Sequence, residues 1–117
     1  MAARRTTLTF DANGVTQPVY ADGMVWGAVY LKGDGGTIAD GVVTVETCDA
    51  LPASDAPTGT SGWVSTGDTI NANGATLGAQ AFGRITIGAY SLLRLRLTTP
   101  LSGGGAITAV LVAVGPG

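Results

Sequence analysis

Histidine is absent from this chain and cysteine occurs once, as Cys48. These shortages remove Ser-His-Asp and Cys-His triads, histidine metal sites and an internal disulfide. Glutamate and lysine are each represented by one residue, Glu46 and Lys32, and glutamine by Gln17 and Gln80, so strong helix formers are scarce. Charge is scarce as well: 12% of residues are charged, against roughly 25% in an ordinary soluble domain. Eight acidic and six basic residues leave a net charge of −2, so the basic balance that drives phosphate-backbone binding is missing and nucleic acid is not an expected partner. The longest strongly apolar stretch, Ala106 to Val114, is too short to cross a bilayer as a helix, and no membrane partner is expected. Met1-Ala-Ala-Arg4-Arg5 leads into Thr6, Thr7, Leu8, Thr9 and Phe10, with no apolar h-region. A secretory signal is therefore not expected, and the chain is expected to stay in a cytoplasm.

What remains is glycine, threonine, valine and alanine, with a mean hydropathy of +0.35. The 117 residues suit one domain. Alternation predicts strands at Thr6 to Phe10, Met24 to Lys32, Val42 to Cys48, Trp63 to Thr66, Phe82 to Ile87, Leu92 to Thr98 and Ala106 to Val114, with a short irregular strand around Pro18. Asp11-Ala-Asn-Gly14 and Asn71-Ala-Asn-Gly74 predict turns, the first of type I′, and Pro100 to Gly105 predicts another. Asp49 to Ser61, with its prolines and small residues, predicts the longest loop. The expected fold is all-β: a single antiparallel β-sandwich of seven to eight strands, jelly-roll-like or Greek key. Residues 1–9 are expected to form an N-terminal arm or first strand, and residues 10–117 the sandwich.

Two strands carry more apolar surface than one core can take. From Met24, one side holds Val25, Gly27, Val29 and Leu31, and the other Met24, Trp26, Ala28 and Tyr30. The last strand sets Ile107, Ala109, Leu111 and Ala113 against Val110, Val112 and Val114. A half-exposed antiparallel strand alternates apolar with polar, so the second faces require cover. Either the loop from Asp49 to Ser61 folds over them, or another protein does.

Several side chains invite a site. Asp34, Asp40, Asp49 and Asp55 lie in loop sequence and could hold calcium, but aspartate beside glycine is ordinary turn chemistry and the spacing fits no EF-hand. Glu46 paired with an aspartate could in principle make a glycosidase dyad, but a chain this small offers no deep cleft, and neither a catalytic residue nor a cofactor is expected. Trp26, Tyr30, Trp63 and Tyr90 could form a platform for sugar rings or serve as packing and interface residues. Arg84, Arg94 and Arg96 could align on one sheet face as a contact patch or be solvated strand residues. Cys48 is expected to be a small buried hydrophobe. Arg4 and Arg5 could lie over an acidic neighbour if the arm extends. The expected subunit or capsid contacts are thus Arg4, Arg5, Trp26, Tyr30, Arg94, Arg96, Val110 and Val112.

The order of motifs adds a resemblance. Val42-Val-Thr-Val-Glu-Thr-Cys-Asp49 is followed by Gly62-Trp63-Val64, Gly83-Arg-Ile-Thr-Ile87, Leu93-Arg-Leu-Arg-Leu97 and Ala106-Ile-Thr-Ala109. From about Met24 onward this series resembles the small β-sandwich structural proteins of tailed bacteriophage virions. The resemblance implies a capsid cement or decoration protein, or part of a head or tail appendage, made in the host cytoplasm and located in the virion. It further implies a homo-oligomer, with trimer favoured over dimer, bound to the major capsid protein or another virion protein. The alternative is a carbohydrate- or ligand-binding sandwich on a phage appendage or a bacterial surface.

Overall fold

The computed structural model describes residues 3–21, 23–50, 53–88, 90, 92–103 and 105–115. Among these residues eight strands follow one another: β1 (Ala3–Thr9), β2 (Val19–Tyr20), β3 (Trp26–Gly33), β4 (Ile38–Thr47), β5 (Val64–Asn71), β6 (Gln80–Thr86), β7 (Leu92–Gly103) and β8 (Ile107–Val114). A single 3₁₀ turn, Ala53–Asp55, interrupts the connection between β4 and β5. The strands form two antiparallel sheets, β1-β8-β3-β6 and β2-β7-β4-β5. That interleaving is the jelly-roll order, in which nearly every connection crosses from one sheet to the other. Among the described residues no helix is long and apolar enough to cross a membrane.

The two-residue period decides which side chains enter the core. Val29 and Leu31 from β3, Ala109, Leu111 and Ala113 from β8, Ile85 from β6 and Leu8 from β1 meet Val43, Val45, Ile70, Leu93 and Leu95 from the other sheet. In the jelly roll β1 runs antiparallel to β8 from Ala3 to Thr9, so these residues form a first strand instead of an extended arm. Met1 and Ala2 lie outside the described residues. Gly27 shows how tightly β3 and β8 are fitted: a Cβ there would stand 2.6 Å from the Val112 carbonyl oxygen, a backbone atom that cannot move aside. Gly27→Ala is expected to lower stability by about 1–3 kcal/mol, read as a lower denaturant midpoint with unchanged slope.

Three local expectations are corrected. The Asp11–Gly14 turn is not type I′, because among the described residues, Ala12 and Asn13 included, none but glycine has positive φ. Instead the Asp11 side chain accepts from the amides of Asn13 and Val15, and Val15 then bridges to Arg96 in the opposite sheet. Strand β7 also continues through Pro100, where the sequence predicts a turn. Its register jumps from Thr99 opposite Val42 to Ser102 opposite Asp40. This bulge leaves Pro100 where no ladder N–H is needed. The residue opposite is Gly41, whose φ of 152° disfavours any other residue and where a Cβ would push against Leu101 Cδ2 at 2.5 Å. Finally, β5 is longer than expected and takes in Ile70.

Candidate functional site

The outer face of the β1-β8-β3-β6 sheet gathers apolar surface around the exposed Trp26 and Phe82, while the exposed Tyr20, Val64 and Leu77 lie off its strands. Cross-strand register arranges this face in four rows running β1, β8, β3, β6. The first is Ala3, Val114, Trp26 and Thr86; the second Arg5, Val112, Ala28 and Arg84. The third is Thr7, Val110, Tyr30 and Phe82, and the fourth Thr9, Thr108, Lys32 and Gln80. The two central strands therefore present an apolar stripe with Arg5 on one flank and Arg84 on the other. Trp26 is 57% exposed and Phe82 61%, large values for residues of this size. Phe82 stacks on Tyr30 with ring centroids 5.7 Å apart. A shallow depression between Trp26 and Arg84 is bounded by Val112 and Val114. Of the side chains in these rows, Arg5, Lys32 and Arg84 are cationic and none is a carboxylate.

The long loop does not cover this face. Its residues 53–63 fold instead over the outer side of the second sheet, where Arg94 lies with only 2% exposure. Its Nε donates to Glu46 Oε1 at 2.9 Å, its Nη1 donates to the Gly59 carbonyl at 2.7 Å, and its guanidinium lies 4.4 Å from the centre of the Trp63 ring. The third nitrogen, Nη2, has no hydrogen-bond partner among the described residues. The ring beneath the guanidinium provides a cation–π contact in its place. Trp63 is anchored in turn by Nε1 donating to the Pro57 carbonyl at 2.8 Å. Arg96 reaches the second Glu46 oxygen at 3.5 Å. The only glutamate is thus occupied by two arginines, and the loop is pinned through one of them.

This geometry divides the expected contact residues. Trp26, Tyr30, Val110 and Val112 share the open face, joined by Arg5. Arg4 projects from the opposite side of β1, the side of Leu8, so the two neighbouring arginines cannot act as one basic patch. Arg94 is corrected outright, because it is buried under the loop and unavailable to a partner. Arg84, Arg94 and Arg96 do not form one row: β6 and β7 belong to different sheets, which alternation along the sequence cannot reveal. The four-aromatic platform also breaks up. Trp63 is buried against Arg94 and Tyr90 packs at the core edge, leaving Trp26 and Tyr30 together on the open face. Sequence reasoning missed Phe82 as a member of the open face, although its place in the alternating Gln80-Ala-Phe-Gly-Arg84 run marks it as outward once Ile85 is assigned to the core.

Three further aspartates bind backbone amides. Asp34 accepts from the Ala106 amide, Asp40 from the Gly41 amide and Asp68 from the Thr86 amide. Among the described residues, no three histidine, cysteine, aspartate or glutamate side chains come together. Cys48 is half-buried, beyond the end of β4, instead of fully enclosed.

No family model matches the chain, and no curated protein matches it in sequence. Among solved structures, the crystal structure of the SPBc2 prophage-derived protein YomS matches with a TM-score of 0.53. The match covers 97% of this chain and 95% of that one at 10% sequence identity. At that identity the likeness is one of fold: this small all-β architecture is shared with a protein derived from a phage.

Proposed function

We propose that the chain is a non-enzymatic structural protein of a tailed-phage virion that assembles with itself and with a neighbouring virion protein, the major capsid protein foremost, as a cement or decoration subunit. The observation that carries this reading is the uncovered apolar face of the β1-β8-β3-β6 sheet, flanked by arginines and left open by the loop that folds the other way. Burial of apolar surface contributes about 25 cal/mol per Å², so covering such a face stabilises a junction by several kcal/mol before association costs. Repeated over a lattice, those increments add. The fold shared with a prophage-derived protein supports the phage context.

Mass spectrometry of purified particles from the phage carrying this sequence tests the reading. The cement role predicts hundreds of copies per particle, and shells that melt at a higher temperature when the purified protein is added. A dozen copies or fewer would assign an appendage, and none would overturn the virion role. Exposure of Trp26 favours a second reading, in which the same face stacks a sugar ring. That reading predicts a reproducible glycan-array signal that disappears in Trp26→Ala.

A further inference from the structure

We propose that the open face is closed by a second copy of this chain, packed face to face about a two-fold axis lying in the interface at right angles to the strands. The inference rests on the reading that this face works by being covered, and it names the occupant and its register.

A two-fold contact is isologous: if one position meets another, the second meets the first. Stacked sheets keep their strands within about 30° of alignment, so the axis runs either along the strands or across them. An axis along the strands exchanges β1 with β6 and β8 with β3. It places Arg5 over the partner's Arg84, and Arg84 over the partner's Arg5, because both belong to the second row. The rows hold no carboxylate to relieve those two like-charge pairs, which are costly once desolvated; Asp34 and Asp68 border the face, where their carboxylates accept from the amides of Ala106 and Thr86.

An axis across the strands exchanges the first row with the fourth and the second with the third. Arg84 then lies over the partner's Phe82 and Lys32 over the partner's Trp26, both arrangements that favour a cation above a ring. Tyr30, the bulkiest residue of the central rows, meets Ala28, the smallest. Val112 meets the partner's Val110, and Arg5 meets the hydroxyl of the partner's Thr7. In this register the cations need no carboxylate, and large side chains meet small ones.

The size also fits. Four strands at about 4.8 Å spacing and eight residues at about 3.3 Å rise make a face of roughly 500 Å² in projection. Two such corrugated faces bury about 1,000 Å² or more in total, which reaches the range of specific interfaces. The expected assembly is therefore a dimer, where lattice analogy favours a trimer. Capsid contacts would fall to the opposite sheet and the loops.

Cross-linking in a Cys48→Ala background tests the register. Thr86 and Gln80 stand at opposite ends of β6, about 20 Å apart along the strand, and the proposed axis brings Thr86 over the partner's Gln80 across an intersheet gap of about 10 Å. Copies carrying Thr86→Cys and copies carrying Gln80→Cys, co-expressed with different tags, should be joined by a short bismaleimide. The yield should exceed that of Thr86→Cys with Ala3→Cys by about tenfold or more, since those positions lie roughly 25 Å apart in this register. Preferential joining of Thr86→Cys to Ala3→Cys would overturn the proposal in favour of the axis along the strands. A dimer joined by neither pair would overturn it by placing self-association on another surface. A monomer that still binds shells would overturn the second-copy occupant while sparing the proposed virion role, whereas a cross-linked dimer absent from particles would do the reverse.

Discussion

Glu46→Ala is expected to destabilise the protein by about 3–5 kcal/mol, because it strands the buried guanidinium of Arg94 without its counter-charge. For a domain whose total stability is about 5–15 kcal/mol, that is a large fraction, and the melting temperature should fall by on the order of 10–20 °C. The loop should loosen as well, since Arg94 holds it through the Gly59 carbonyl and the Trp63 ring. Amide hydrogen exchange should therefore accelerate across residues 53–63 before the core strands respond. Glu46→Leu combined with Arg94→Met should recover most of the lost stability, because replacing both members of a buried pair with apolar residues removes the desolvation cost with the attraction. If Glu46→Ala alone melts within a degree or two of the unmodified protein, the buried pair does not anchor this end of the sandwich.

Val112→Lys is expected to abolish self-association while leaving the fold intact. Position 112 lies at the centre of the open face, in the row that already holds Arg5 and Arg84 and contains no carboxylate. In the isolated chain the new ammonium reaches solvent, so thermal stability at low concentration should change by no more than about 0.5–1 kcal/mol. Between two copies the same charge would be buried unpaired, weakening association a hundredfold or more, equivalent to about 2.7 kcal/mol. Static light scattering over a concentration series, with circular dichroism as the check on folding, reads both effects. A partner of acidic surface would respond in the opposite direction and bind Val112→Lys more tightly, so the variant also separates a second copy from an acidic neighbour.

Much of the sandwich is legible in the chain because alternation is local. Leu93, Leu95 and Leu97 against Arg94 and Arg96 identify β7 and its two sides, and the doubly apolar β3 and β8 announce that one outer face needs cover. Which strands become neighbours is set by the jelly-roll crossings, and no local pattern encodes these. Arg84 and Arg94 look equivalent in sequence, yet one flanks the open face while the other is sealed under a loop on the opposite sheet. The same limit applies to the long loop: its composition marks a loop, but its residues 53–63 are held by Arg94, which reaches the Gly59 carbonyl and the Trp63 ring and pairs with Glu46 across 48 positions. Pro100 misleads for a different reason, since a bulge opposite Gly41 removes the ladder bond that proline cannot make.

Acrylamide quenching of Trp26 fluorescence measures the cover of the face most directly, because the only other tryptophan, Trp63, is 8% exposed and contributes little quenchable emission. With Trp26→Phe as the blank, quenching should be steep in dilute solution and should fall as the protein is concentrated or bound to shells. Emission that stays equally open to quencher at every concentration, and on shells as well, would contradict the account, for it would mean that no protein neighbour ever closes this sheet.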